Sequence, residues 1–78
     1  MKLEIIKPDK KLFEGEAKSV IVPDANGQLG ILNRHAPLIA ALKKGTVKVT
    51  ENNGKVQKFE INGGVVEVLK SKVIILAE

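Results

Sequence analysis

Turn-forming residues interrupt this sequence so often that no long element can form. Pro8-Asp9, Pro23-Asp24, Ala25-Asn26-Gly27, Asn52-Asn53-Gly54 and Asn62-Gly63-Gly64 each end a short apolar segment. Proline presets one turn dihedral, and asparagine and glycine accept positive φ cheaply, so such clusters punctuate a chain. The stretches between them read as strands: Leu3–Lys7, Leu12–Glu16, Lys18–Val22, Gln28–Leu32, Gly45–Thr50, Lys55–Ile61, Val65–Leu69 and Lys72–Leu76. Asn53-Gly54 favours a tight type I′ hairpin. Many short strands between turns predict an all-β fold, a sandwich or barrel of about ten strands in two sheets.

Leu38–Lys44 contains helix formers, but it is boxed between Pro37 and Gly45. A piece that short is marginal as a helix, so it reads as one more strand. Val73-Ile74-Ile75-Leu76 is apolar at both parities, the pattern of a strand covered on both faces. No linker or repeat divides the chain, so residues 1–78 read as one domain.

Composition narrows the function classes. There is no cysteine, which removes disulfides, thiolate metal sites and cysteine nucleophiles. The longest apolar runs, Leu38–Leu42 and Val73–Ala77, fall far short of the ~20 residues a membrane helix needs. The net charge of +4 comes from lysines that are scattered along the chain, and Phe13 and Phe59 are the only aromatics. A nucleic-acid surface needs clustered cations and stacking platforms. A small basic β-barrel that binds RNA is therefore the alternative reading, supported by charge alone.

Catalytic chemistry finds little to work with. His35 is the single histidine, and the nearest acid in sequence is Asp24, so no metal-ligand or triad spacing exists. The glycines match neither phosphate-binding fingerprint. Lys10 follows Asp9 in a turn, as a modified carrier lysine would, but it lies near the start of the chain rather than its middle. The expectation is a non-catalytic domain without cofactor or metal that works by offering a surface. Gln28–Leu42 is the candidate surface. It holds Leu29, Ile31, Leu32, Leu38, Ile39 and Leu42, more apolar groups than a short segment easily buries, and apolar surplus marks interfaces.

In the same stretch, Gly27-Gln28-Leu29-Gly30-Ile31-Leu32 followed by His35-Ala36-Pro37-Leu38 resembles the signature of the epsilon subunit of F-type ATP synthases. Leu12-Phe13-Glu14-Gly15-Glu16, Val20-Ile21-Val22-Pro23, Lys43-Lys44-Gly45, Asn62–Val68 and Lys72–Ala77 extend the likeness over the whole chain. The resemblance implies a flattened β-sandwich in the rotor, on the cytoplasmic face of the bacterial inner membrane. It would bind the gamma subunit and the c-ring and join ring to shaft. On this resemblance Asn26, Gly27 and Gln28 form the ring-facing loop, with Asp24 as a possible source of charge because position 28 is an amide here. His35, Leu38, Ile39 and Ala40 match the interface with gamma and the ring; Asn33-Arg34 departs from the Pro-Gly usual in relatives, with Arg34 expected to add a rim salt bridge there, and Lys7 lies at a position near gamma. Charged replacements of Leu38 or Ala40 are then expected to weaken assembly without harming the fold. Family members continue into a two-helix hairpin that can inhibit hydrolysis or bind ATP. The sequence stops at Glu78, so neither role is expected of it.

Overall fold

The computed structural model describes residues 1–33 and 36–78. Nine strands and no helix appear among them: β1 (Lys2–Lys7), β2 (Lys10–Glu16), β3 (Ser19–Asp24), β4 (Gly27–Leu32), β5 (Leu38–Leu42), β6 (Gly45–Thr50), β7 (Val56–Ile61), β8 (Gly64–Val68) and β9 (Lys72–Ala77). They form one hydrogen-bonded path, β2-β1-β9-β8-β5-β3-β6-β7, with β4 paired to β3. The path folds over on itself, so that one layer is β2-β1-β9-β8-β5 and the other is β4-β3-β6-β7.

β3 is the strand that joins the layers. Its first half, Ser19–Ile21, pairs with β6, and its end, Asp24, pairs with Leu42 of β5. Pro23 sits at the changeover. Its ring occupies the space a side chain at Gly45 would need, only 2.8 Å from a Cβ built there. Its carbonyl still accepts a hydrogen bond from Lys43 N at 2.9 Å. The two ends of the chain meet in the first layer, where β1 lies parallel to β9 with Leu3 beside Val73 and Ile5 beside Ile75.

Strand periodicity fills the space between the layers. Leu3, Ile5, Val66, Val68, Val73 and Ile75 point inward from one side, and Val20, Val22, Ile31, Val47, Val49 and Ile61 from the other; all are buried. β-branched side chains dominate because they suit a pleated, half-buried surface. A bulge between Ile5 and Ile6 shifts the pairing of β1 with β2. It lets Leu12 and Phe13 both pack on the core although they are sequence neighbours. Phe13 then meets Phe59 edge to face, with centroids 6.1 Å apart, and closes the open end of the sandwich. Among the described residues no polar side chain is buried.

Two expectations change. The hairpin after β6 is not a two-residue Asn-Gly turn. Gly54 N donates to Glu51 O at 2.9 Å, and Glu51 N donates to Lys55 O at 2.8 Å. Gly54 takes φ +91°, so the loop is a three-residue one with glycine at the left-handed position. β9 is not covered on both faces: Val73, Ile75 and Ala77 are buried, but Leu76 is 52% exposed.

An ion cluster ties β2, β1 and β9 on the outer side. Glu4 receives Lys72 Nζ at 2.6 Å and Lys11 Nζ at 3.4 Å, and Lys11 also reaches Glu14 at 3.0 Å. The Lys72 hydrogen bond, aided by Lys11, holds the Glu4 carboxyl below its ordinary value, against a smaller opposing effect of burial. A depressed carboxyl contributes stability above its unfolded pKa and loses it as pH falls through the folded value. Glu4→Gln should therefore lower stability at neutral pH and flatten the acid limb of the stability profile, measured by urea denaturation from pH 7 downward. An unchanged acid limb would show the cluster to be inert. A second test is Gly64→Ala. Gly64 has φ +144°, and a Cβ there would lie 2.1 Å from Leu76 O. The substitution should cost about 1–3 kcal/mol from backbone strain alone, read as a lowered denaturation midpoint.

Candidate interaction surface

The outward side of the first layer carries exposed apolar side chains on three neighbouring strands, β5, β8 and β9. Pairing aligns two rows across β5, β8, β9 and β1. One row is Ala41, Val65, Leu76 and Ile6; the other is Ile39, Glu67, Ile74 and Glu4. Ile39 is 73% exposed, Leu76 52% and Val65 38%. Ile6 and Ile74 are half-buried. Contiguous exposed apolar side chains on neighbouring strands mark a docking surface, whereas single ones do not.

Two shallow hollows flank the rows. One, of about 380 Å³, is lined by Ile6, Lys7, Pro8, Val65, Leu76 and Glu78 among others. It exists because Gly64 lets β8 approach Leu76 of β9 more closely than any side chain allows. The other, of about 350 Å³, lies between Pro37, Ile39, Glu67 and Leu69. The ionic group of Glu4, Lys11 and Lys72 borders the apolar rows on the β1 side, as a polar rim borders an interface core.

The residues expected from sequence divide between places. Asn26 is at the tip of the β3–β4 hairpin, Gly27 opens β4, and Gln28 is exposed beside it. The tip is a two-residue turn closed by the pairing of Asp24 with Gly27. Asp24 Oδ2 accepts a hydrogen bond from Asn26 N at 3.2 Å, so its carboxylate shapes the turn. Ile39 faces outward in the apolar rows. Leu38 and Ala40 do not: both pack against the core. Alternation sends neighbours on a strand to opposite sides, so a charge at either position would damage the fold. That corrects the expectation of a harmless substitution there. Arg34 and His35 lie outside the described residues.

Of the six large apolar residues in 28–42, Ile31 and Leu42 are buried, and Leu29 and Leu38 pack on the core. Leu32 and Ile39 remain exposed, on different layers. Sequence reasoning missed Val65, Ile74 and Leu76. For Ile74 and Leu76 the signal is the double-parity apolar run of β9, which burial on both faces would equally produce; for Val65 it is the adjacent Val65-Val66 pair of β8. Among the described residues, no three metal-ligating side chains gather.

The described residues thus define an all-β sandwich with an apolar outer face. The particular family follows from comparison. Residues 1–78 match the family model described as ATP synthase, Delta/Epsilon chain, beta-sandwich domain, and the chain belongs to this family. It is 44% identical over 77 residues to the ATP synthase epsilon chain of Desulforamulus reducens, covering 99% of this chain and 58% of that relative. It is also 44% identical to the epsilon chain of Chlorobium limicola, there covering 88% of the relative. The chain thus spans little more than half the length of the first of these relatives and most of the second. In fold it is similar to a chain in the Euglena gracilis mitochondrial ATP synthase structure of OSCP, F1 and c-ring. That TM-score is 0.90 at 23% identity, with 96% of this chain and 48% of that one covered.

The outward position of Leu76 has a direct consequence for the free protein. Leu76→Ser should lower the denaturation midpoint only modestly, because about half of the residue stays exposed in the folded chain. Ile75→Ala, one residue away and fully buried, should cost about 2–5 kcal/mol. Equal losses in urea denaturation would show Leu76 to be core.

Proposed function

We propose that this chain is a rotor subunit of the F-type ATP synthase, binding gamma and the c-ring and coupling ion-driven ring rotation to the central shaft. The observation that carries this reading is the apolar outward face of β5, β8, β9 and β1, on a body that belongs to the epsilon family. Gamma takes that face, with Ile39, Val65 and Leu76 as its exposed anchors and Leu38 and Ala40 supporting them from the core side. Lys7, at the rim of the adjoining hollow, stays within reach of the same partner. The c-ring takes the hairpin tip at Asn26, Gly27 and Gln28. Arg34 and His35, in the connection between β4 and β5, complete the contact between the two.

The domain performs no chemistry in this role and needs no cofactor. Its contribution is stiffness. Close-packed interiors compress little and transmit strain, and every layer of this sandwich is tied to the other through β3. A rotor part of this kind passes torque on instead of absorbing it. The complex holds it at the membrane surface, on the cytoplasmic side in a bacterium.

Association with the cognate gamma subunit tests the proposal. Ile39→Asp and Leu76→Asp should each weaken binding by about tenfold or more, the loss expected for a charge placed among interface anchors. Their circular dichroism should match the parent chain. Full-strength gamma binding by both variants would remove this face from the interface, and absence of any binding by the parent chain at micromolar concentration would remove gamma as partner.

A further inference from the structure

The second layer has an outward side of quite different chemistry. Lys48 of β6 stands directly opposite Lys58 of β7, and Ile21 of β3 is the next residue across. Directly opposed residues on antiparallel strands have Cβ atoms about 4.5–5.5 Å apart, and like charges so placed destabilise the pair. Neither lysine forms an ion pair among the described residues. The nearest acid on this face is Glu60, two residues along β7, whose carboxylate accepts a hydrogen bond from the Thr46 hydroxyl. The lysine pair lines a hollow of about 350 Å³ with Ile21, Thr46 and Glu60.

The charge of the whole chain is also one-sided. Residues 18–60 carry seven cationic side chains and three carboxylates, whereas the remainder carries six of each. The entire excess therefore belongs to the stretch that builds the second layer and β5.

We propose that the outward face of β3, β6 and β7 docks an acidic protein segment, with a glutamate or aspartate carboxylate seated between Lys48 and Lys58. The chemistry selects this occupant. Two opposed ammonium groups match one carboxylate and shed their mutual repulsion when it arrives. Ile21 forms an apolar floor for the aliphatic stem of the incoming side chain. The face has no aromatic ring for a base to stack on, which disfavours RNA. The site stands apart from the apolar face assigned to gamma, which lies on the opposite layer, and meets the hairpin assigned to the c-ring only at Gln28, which also lines the hollow.

The test uses the isotopically labelled chain at low salt, titrated with a short glutamate-rich peptide and followed by amide chemical shifts. Shifts should concentrate on Ile21, Thr46, Lys48 and Lys58. The Lys48→Gln, Lys58→Gln double variant should bind about tenfold more weakly, the worth of two exposed ion pairs. A Lys10→Gln, Lys70→Gln control loses the same charge elsewhere and should keep its affinity. Equal weakening in both variants, or no shifts at all, would overturn the proposal by showing only diffuse attraction. Tighter binding of a single-stranded RNA of equal charge to the same residues would overturn it in favour of a nucleic-acid surface. Lys58→Glu reads the repulsion itself: it should raise the thermal midpoint by about 1–3 °C, and a fall would contradict the claim that the fold carries this pair at a cost.

Discussion

A strand with neighbours on both sides can be apolar on both faces only if something covers the second. β9 is in that position. The parallel pairing of β1 with β9 draws the two chain ends together and leaves β9 between β1 and β8. Its inward residues, Val73, Ile75 and Ala77, join the core, and its outward ones, Ile74 and Leu76, join Ile6, Val65 and Ile39 on the surface. The interior of the sandwich and its exposed apolar face are therefore two sides of the same strands. No change to one face leaves the other's backbone untouched, which is how a small domain keeps a partner surface rigid.

The two layers differ in what they present. The first shows aliphatic groups bordered by a compact ionic cluster in which Glu4 is shared by two lysines. The second shows an opposed lysine pair beside an apolar floor. β3 connects them by pairing with β6 at one end and β5 at the other. A load applied to either outward face thus reaches the other through a single strand and the core it anchors. This arrangement suits a part gripped at several points.

Much of the fold was legible because turn residues and strand period are local signals. Pro8-Asp9 and Asn62-Gly63 marked real boundaries and the short Leu38–Leu42 piece proved to be a strand, whereas β3 runs on through Pro23 to Asp24 because both residues still pair with β4. What escaped was set by pairing at long range. The apolar run of β9 looks the same in sequence whether its second face meets another layer of this chain or open surface. Leu12 and Phe13 share the core only through a bulge. Lys48 and Lys58 look scattered until the β6–β7 register places them side by side. The resemblance pointed to Leu38, Ile39 and Ala40 as a block, but alternation divides them: Ile39 faces out, and Leu38 and Ala40 support the core.

The central claim is that the β5-β8-β9-β1 face is where the neighbouring machine part lies. Site-specific photo-crosslinking measures this directly, with a photoreactive side chain placed at position 39, 76 or 56 of the chain in the assembled ATP synthase. The account predicts adducts with gamma from positions 39 and 76 and none from position 56, which is exposed on the other layer. Adducts with gamma from position 56 alone would contradict it.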